Sequence, residues 1–262
     1  MTLLRAMTLL LADVGNTRTK VAVAGHPPRI VVHDPAHAPD SWLGALATEP
    51  KPWRWAVAGV HPARVEALAD WVRGRGEECV VIRHHSQVPV AVRGPDPGQV
   101  GIDRLLDCCA ANVRRRYDAP ALVIDAGTAI VVNSLDSDGA FVGGAIMPGV
   151  STLFRALHAA TAKLPLIEAG DLRLPEPRPA TTRDAVYAGC YHAAVGGVGS
   201  LVRAALFDLV GEGSHRDRAD VFVTGGDGER LAGRVAWPEP DDVHVVETLT
   251  LEGLQLAAGF PA

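Results

Sequence analysis

Lysine is scarce in this chain: Lys20, Lys51 and Lys163 stand against 22 arginines. With a net charge of −5, that bias reads as genome composition. It leaves no electrostatic footprint for nucleic acid. Cysteine is scarce too. Cys79, Cys108, Cys109 and Cys190 form no C-x-x-C pair, which argues against a zinc site or a disulfide framework. Adjacent Cys108 and Cys109 read as small buried side chains on a helix, and a reduced, cytoplasmic protein is expected. The ten histidines show no metal-ligand spacing. No apolar run reaches the ~18 residues of a membrane span, so no membrane partner is expected. The stretch Met1 to Leu11 is too short for a signal peptide and lacks a small-residue cleavage site. Met7 is an alternative start to Met1.

What the chain has is apolar material: 48% hydrophobic against 21% charged residues, over 262 positions. That suffices for a substantial core in one or two domains. One stretch organises it. The run Leu9–Ala12 leads to Asp13, then Val14-Gly15-Asn16-Thr17-Arg18-Thr19-Lys20, then a return run Val21–Ala24. Apolar runs flanking a Gly-Asn step predict a β-hairpin. Asp13 at its mouth suits a hydrated metal ion, and the amides of Gly15, Asn16 and Thr17 suit phosphate oxygens. The bland alternative is a hairpin whose Asp13 and Asn16 serve turn chemistry alone.

The design recurs. Ala121–Ile124 leads to Asp125-Ala126-Gly127-Thr128, then a return run Ala129–Val132. A repeat near half the chain length predicts two related lobes, with residues 1–115 in the first and 116–262 in the second. Two such turns facing each other suit a nucleoside triphosphate.

Between these marks the chain alternates. Trp55–Val60 and Cys79–Ile82 read as strands. Val65, Leu68, Ala69 and Val72 have helical spacing. Gly25–Lys51 reads as loops with a short helix near Trp42–Ala47. Val100–Arg104 is expected to open a helix that runs to about Arg116; another is expected over Ser151–Ala162, and a long one over Thr181–Val210, rich in small residues. Lys163–Ala180, with four prolines, reads as a surface loop. Asp220–Thr224 is expected as a strand entering the Gly225-Gly226 turn, with a last helix from about Leu249. Alternating strands and helices predict an α/β fold.

These motifs resemble one family, the type III pantothenate kinases, within the superfamily of actin, sugar kinases and heat-shock chaperone ATPases. The matching residues are Asp13–Thr17, Gly101-Ile102-Asp103-Arg104, Asp125–Ala129, Gly143–Gly149, Thr161–Pro165, Thr182 with Ala185 and Gly189, Thr224–Gly226 and Leu249–Leu254. The two Asp-Gly turns mark only the superfamily; the G-x-D-R element is specific to the family. The resemblance implies two ribonuclease-H-like lobes with a nucleotide cleft between them. It implies transfer of the γ-phosphoryl of ATP to the primary hydroxyl of pantothenate, the first step of coenzyme A synthesis. It also implies a homodimer that needs Mg²⁺ and a monovalent cation, K⁺ or NH₄⁺.

Residue by residue, the resemblance makes Asp103 the general base, against the alternative of a first-turn, helix-capping aspartate. Gly101, Ile102 and Arg104 complete the pantothenate-binding element, Arg104 as a carboxylate partner. Asp13 through Lys20 and Thr128 are expected at ATP, with Asp13 reaching Mg²⁺ through water. Asp125 is expected at the monovalent cation. Thr182 is expected at pantothenate, against the alternative of a helix N-cap. Three departures stand out. Gly94 replaces the family's usual tyrosine. Ile130 and Val131 replace two threonines. Asn133 replaces an aspartate. Gly94 favours the rival reading of a related kinase acting on another small alcohol. A regulatory member without turnover is a further alternative, which retention of Asp13 and Asp103 opposes.

Overall fold

The computed structural model describes residues 7–24, 31–33, 43–46, 49, 51–116, 118–168, 173–210, 219–238 and 242–260. The chain divides into two compact units.

Unit 1 comprises Met1–Val90, Pro95–Val113 and Thr248–Ala262. Its sheet has the order β3-β2-β1-β4-β5, from β1 (Thr8–Val14), β2 (Thr19–Val23), β3 (Val31–His33), β4 (Trp53–Gly59) and β5 (Glu78–Ile82). β2 runs antiparallel to β1 and β3, while β1, β4 and β5 are parallel. The crossover from β4 to β5 is α1 (Pro62–Gly74). Pro62 opens it where a missing N–H costs nothing. Its Val65, Leu68, Ala69 and Val72 pack on Leu10, Ala12, Val14, Trp55 and Val57. Buried Trp55 keeps a partner for its indole N–H, Glu77 Oε2 at 2.8 Å.

α2 (Ile102–Arg114) and α6 (Leu249–Ala257) also belong to unit 1. The division expected at 115/116 would have put α6 in the second lobe, but it packs on β1 and β4. The cause is close backbone contact. A Cβ on Gly253 would lie 1.9 Å from the Leu106 carbonyl oxygen of α2, and Leu249, Leu251 and Leu254 are buried.

Unit 2 comprises Ala91–Gly94 and Arg114–Glu247. Its sheet has the order β10-β9-β6-β7-β8, from β6 (Ala121–Ala126), β7 (Ala129–Leu135), β8 (Phe141–Pro148), β9 (Asp220–Thr224) and β10 (Val243–Val245). β6, β7 and β8 form an antiparallel meander, with β9 and β10 added in parallel. Taken in chain order, this is the pattern of unit 1 again. Two five-stranded mixed sheets, each led by one Asp-Gly hairpin, answer the expected repeat. Residues 91–94 form a strap on this sheet: Phe141 N–H donates to Ala91 and Arg93 N–H to Phe141, each at 2.8 Å.

The helices of unit 2 are α3 (Val150–Ala160), α4 (Thr182–Val210) and the short α5 (Gly228–Ala232). α4 departs from the sequence reading in one respect. It is long and apolar enough to cross a membrane by length and composition. Its apolarity comes from Ala, Gly and Val interrupted by Tyr and His, so no unbroken run announces it. Val186, Tyr191, Ala194, Val198 and Val202 lie in the core with Leu122, Ile124, Val132, Val221 and Val223.

β3, β10 and α5 were not expected. Of the short helix expected near Trp42–Ala47, the described part is a 3-10 turn over Leu43–Leu46; Trp42 and Ala47 lie outside the described residues, as do Met1–Ala6.

Candidate active site

The first hairpin loop in unit 1 is longer than a two-residue Gly-Asn step. β1 runs through Val14 and β2 starts at Thr19, so Gly15, Asn16, Thr17 and Arg18 make the turn. Gly15 N–H donates to the Arg18 carbonyl at 2.8 Å. One of the three amides expected to face phosphate is therefore spent inside the turn. Asn16, Thr17 and Arg18 are exposed. From α1, Arg64 donates to the Asn16 carbonyl at 2.6 Å, a support that no local sequence signal announced. Asp13 is half-buried and lies directly across from Lys20. It shares a sheet face with Leu9 and Leu11, opposite the face that packs on α1. Gly59 flanks this strand end. A Cβ there would lie 2.2 Å from the Val14 carbonyl oxygen.

The G-x-D-R element begins α2 in the same unit. Leu105 N–H donates to the Gly101 carbonyl at 3.3 Å, and Ile102 is buried. Asp103 Oδ1 accepts the Arg104 amide at 2.8 Å. It also folds back over Gly101, where a Cβ would lie 2.7 Å from that oxygen. The glycine thus gives the carboxylate room. Burial pushes the Asp103 carboxyl above the ordinary carboxylate range, against the Arg104 amide and guanidinium, which pull it down. A plain capping aspartate in water would move the other way. Burial likewise lowers the Arg104 guanidinium, against the raising influence of Cys108 and Asp103.

In unit 2 the second turn is tighter. Asp125 lies across from Val131 on one side and Thr224 on the other. Gly127 N–H donates to the Ala129 carbonyl at 2.9 Å, and Thr128 is exposed. Two glycines from distant segments press on it. Gly225 holds φ +92°, and a Cβ there would lie 2.3 Å from both Asp125 Oδ1 and the Ala126 carbonyl oxygen. A Cβ on Gly149 would lie 2.0 Å from the Gly127 carbonyl oxygen. Such close backbone approach is open only to glycine.

At the start of α4, Thr181 Oγ1 donates to Asp184 Oδ2 at 2.6 Å and accepts the Asp184 amide at 3.1 Å. This is a reciprocal N-cap. The capping role therefore falls to Thr181, and Thr182 is the exposed first residue of the helix.

The departures also find their places. Ile130 joins the core of unit 2. Val131 sits across from Asp125, and Asn133 is fully buried between Val123 and Gly144. Gly94 is exposed, and a Cβ there meets nothing within 4 Å. Unit 1 thus holds Asp13–Lys20 and Gly101–Arg104, while unit 2 holds Asp125, Thr128 and Thr182. Among the described residues no group of three or more His, Cys, Asp or Glu could hold a metal.

Comparison with known proteins adds to this geometry. The family model described as type III pantothenate kinase matches residues 9–204. A type III pantothenate kinase of Synechococcus sp. (strain JA-3-3Ab) is 36% identical over 225 residues, 85% of this chain and 81% of that one. Among solved structures, a conserved Baf family protein from Campylobacter jejuni matches with a TM-score of 0.59 at 19% identity, over 95% of this chain and 96% of that one. MreB5 of Spiroplasma citri bound to ADP matches with a TM-score of 0.50 at 12% identity, over 96% of each chain. At such identities the two structures speak for a shared actin-like fold alone.

Proposed function

Because the chain belongs to the type III pantothenate kinase family, we propose that it phosphorylates pantothenate with ATP, the first step of coenzyme A synthesis. The observation that carries the mechanism is the desolvated Asp103 carboxylate behind Gly101. A primary alcohol must lose its proton as the new O–P bond forms, and a carboxylate whose pKa is raised by burial accepts that proton more readily. Arg104, next in the chain, holds the pantothenate carboxylate. Gly127–Thr128 is a phosphate-binding turn of unit 2, and Gly15–Arg18 is one of unit 1.

The donor set fits Mg²⁺ that keeps its waters and shares phosphate oxygens, because such an ion takes one or two carboxylates rather than a protein cage. Asp13 is the residue for it. Asp125, a hard oxygen donor held against the Gly225 backbone, fits K⁺ or NH₄⁺. When bound, the divalent ion neutralises charge on the phosphates. The protein acts as a homodimer, for which the exposed Ala185, Gly189, Ala193 and Gly196 of α4 offer a close-packing face. It works in the cytoplasm, consistent with four free thiols.

The test is coupled ADP release with pantothenate in K⁺, NH₄⁺ or Na⁺. ADP release that depends on pantothenate and is stronger in K⁺ or NH₄⁺ is expected. Release no higher than background with every cation would turn the reading to another alcohol.

A further inference from the structure

We propose that Thr152 is a positioning residue for the nucleotide, acting through the carbonyl of Thr128. The inference rests on the reading that the Gly127–Thr128 turn holds ATP phosphates.

Gly149 is the N-cap of α3, so Thr152 is the third residue of the helix. A threonine in a first turn ordinarily spends its hydroxyl on nearby backbone. Here Thr152 Oγ1 leaves the helix and donates to the Thr128 carbonyl at 2.6 Å, across 24 residues of chain. The Gly149 amide donates to the same carbonyl at 3.0 Å. Two donors from the start of one helix thus hold the turn of another element.

Arg155, one turn further on, makes the arrangement directional. Its Nη2 donates to Thr152 Oγ1 at 3.1 Å. A guanidinium has no acceptor, so the hydroxyl must accept from Arg155, and its single hydrogen is left for Thr128. The chain of donors runs guanidinium, hydroxyl, carbonyl. Its effect is to fix the peptide plane that follows Thr128 and, with it, the exposed Thr128 side chain. Gly149 cannot be probed at its amide by side-chain exchange, whereas Thr152 can.

The experiment compares Thr152→Val, Thr152→Ser and Arg155→Ala with the wild-type full chain. It measures the KM for ATP and for pantothenate, kcat, Tm, and the Kd of ADP without pantothenate. Valine keeps the shape and removes the donor. It is expected to raise the ATP KM and the ADP Kd roughly 3- to 10-fold, the range of one hydrogen bond. The pantothenate KM should stay within twofold. Serine should restore wild-type values, and Arg155→Ala should shift the nucleotide constants in the same direction by less. An unchanged ADP Kd in Thr152→Val would overturn the proposal. So would equal rises in both KM values with a fallen Tm that serine does not restore, since that pattern marks a merely structural hydroxyl. Wild type that binds ADP but does not turn over pantothenate would refute only the substrate reading, and the binding comparison would still decide on Thr152. Wild type that binds no ADP would overturn both.

Discussion

Replacing Asp103 by Asn separates its two roles. The amide oxygen can still accept the Arg104 N–H that now lies 2.8 Å from Oδ1, and the side chain still fits the space Gly101 leaves. Only charge and basicity are lost. A positioned general base is worth ~10²–10⁴-fold, or about 3–5 kcal/mol of barrier at ~1.36 kcal/mol per tenfold. kcat should fall by that factor, with the KM for ATP little changed. Stability should move the other way. Burial raises the Asp103 pKa, so the folded chain holds that proton more tightly than the unfolded one. The associated stability is complete below the unfolded carboxyl value of ~3.9 and is lost as pH rises through the folded value. At neutral pH the wild type thus carries a desolvated charge that Asn removes. The variant should melt at or above the wild-type Tm at pH 7, and the gain should vanish in acid. The wild-type kcat should also lose its acid limb at a higher pH than an ordinary aspartate would give. Coupled ADP release at saturating pantothenate and thermal melts at pH 4 and 7 read both effects. Wild-type turnover in the variant would reduce Asp103 to a helix-start residue, and a clear loss of Tm at pH 7 would refute the burial argument.

Other outcomes test the surrounding frame. Asp13→Asn should raise the Mg²⁺ needed for half-maximal ATP turnover, with partial rescue by excess Mg²⁺; a Mg²⁺ titration checks this. Gly225→Ala puts a methyl group 2.3 Å from Asp125 Oδ1 at φ +92°. Backbone strain of ~1–3 kcal/mol and overpacking of ~1–3 kcal/mol together predict a Tm loss of roughly 4–24 °C, readable by calorimetry. Light scattering at micromolar concentration should give twice the 27.6 kDa chain mass; a monomer mass would count against the α4 face as a dimer contact.

Much of the fold was legible because its signals are local. The hairpins at Asp13 and Asp125 combine apolar runs with turn chemistry, and α1 shows its buried stripe through Val65, Leu68 and Val72. What escaped depends on neighbours. β3 and β10 have three residues each, too few for a period, and exist by pairing with β2 and β9. α6 joins unit 1 through the approach of Gly253 to Leu106, across 147 residues of chain. The candidate site divides in the same way. Asp103 at the first turn of α2 and Thr182 at the start of α4 could be read from motif order. The supports behind them could not: Arg64 reaches Asn16 across 48 positions, and Thr152 reaches Thr128 across 24. That Thr181 takes the N-cap of α4 follows from Asp184 three residues on, a signal present in the sequence.

The repeated hairpin also carries a difference that repetition hides. Both aspartates lie one residue before the end of their strand, yet they face unlike partners. Asp13 has Lys20 across from it, a cation in a register where opposite charges attract. Asp125 has Val131 and Thr224, with the Gly225 backbone pressed against its carboxylate. A carboxylate beside a cation has part of its charge compensated before any metal arrives, which suits an ion held loosely through water. A carboxylate whose cross-strand neighbours carry no charge gains more from a cation that touches it directly. The unequal surroundings support giving Asp13 to hydrated Mg²⁺ and Asp125 to the monovalent ion, although the two turns began as one pattern in the sequence.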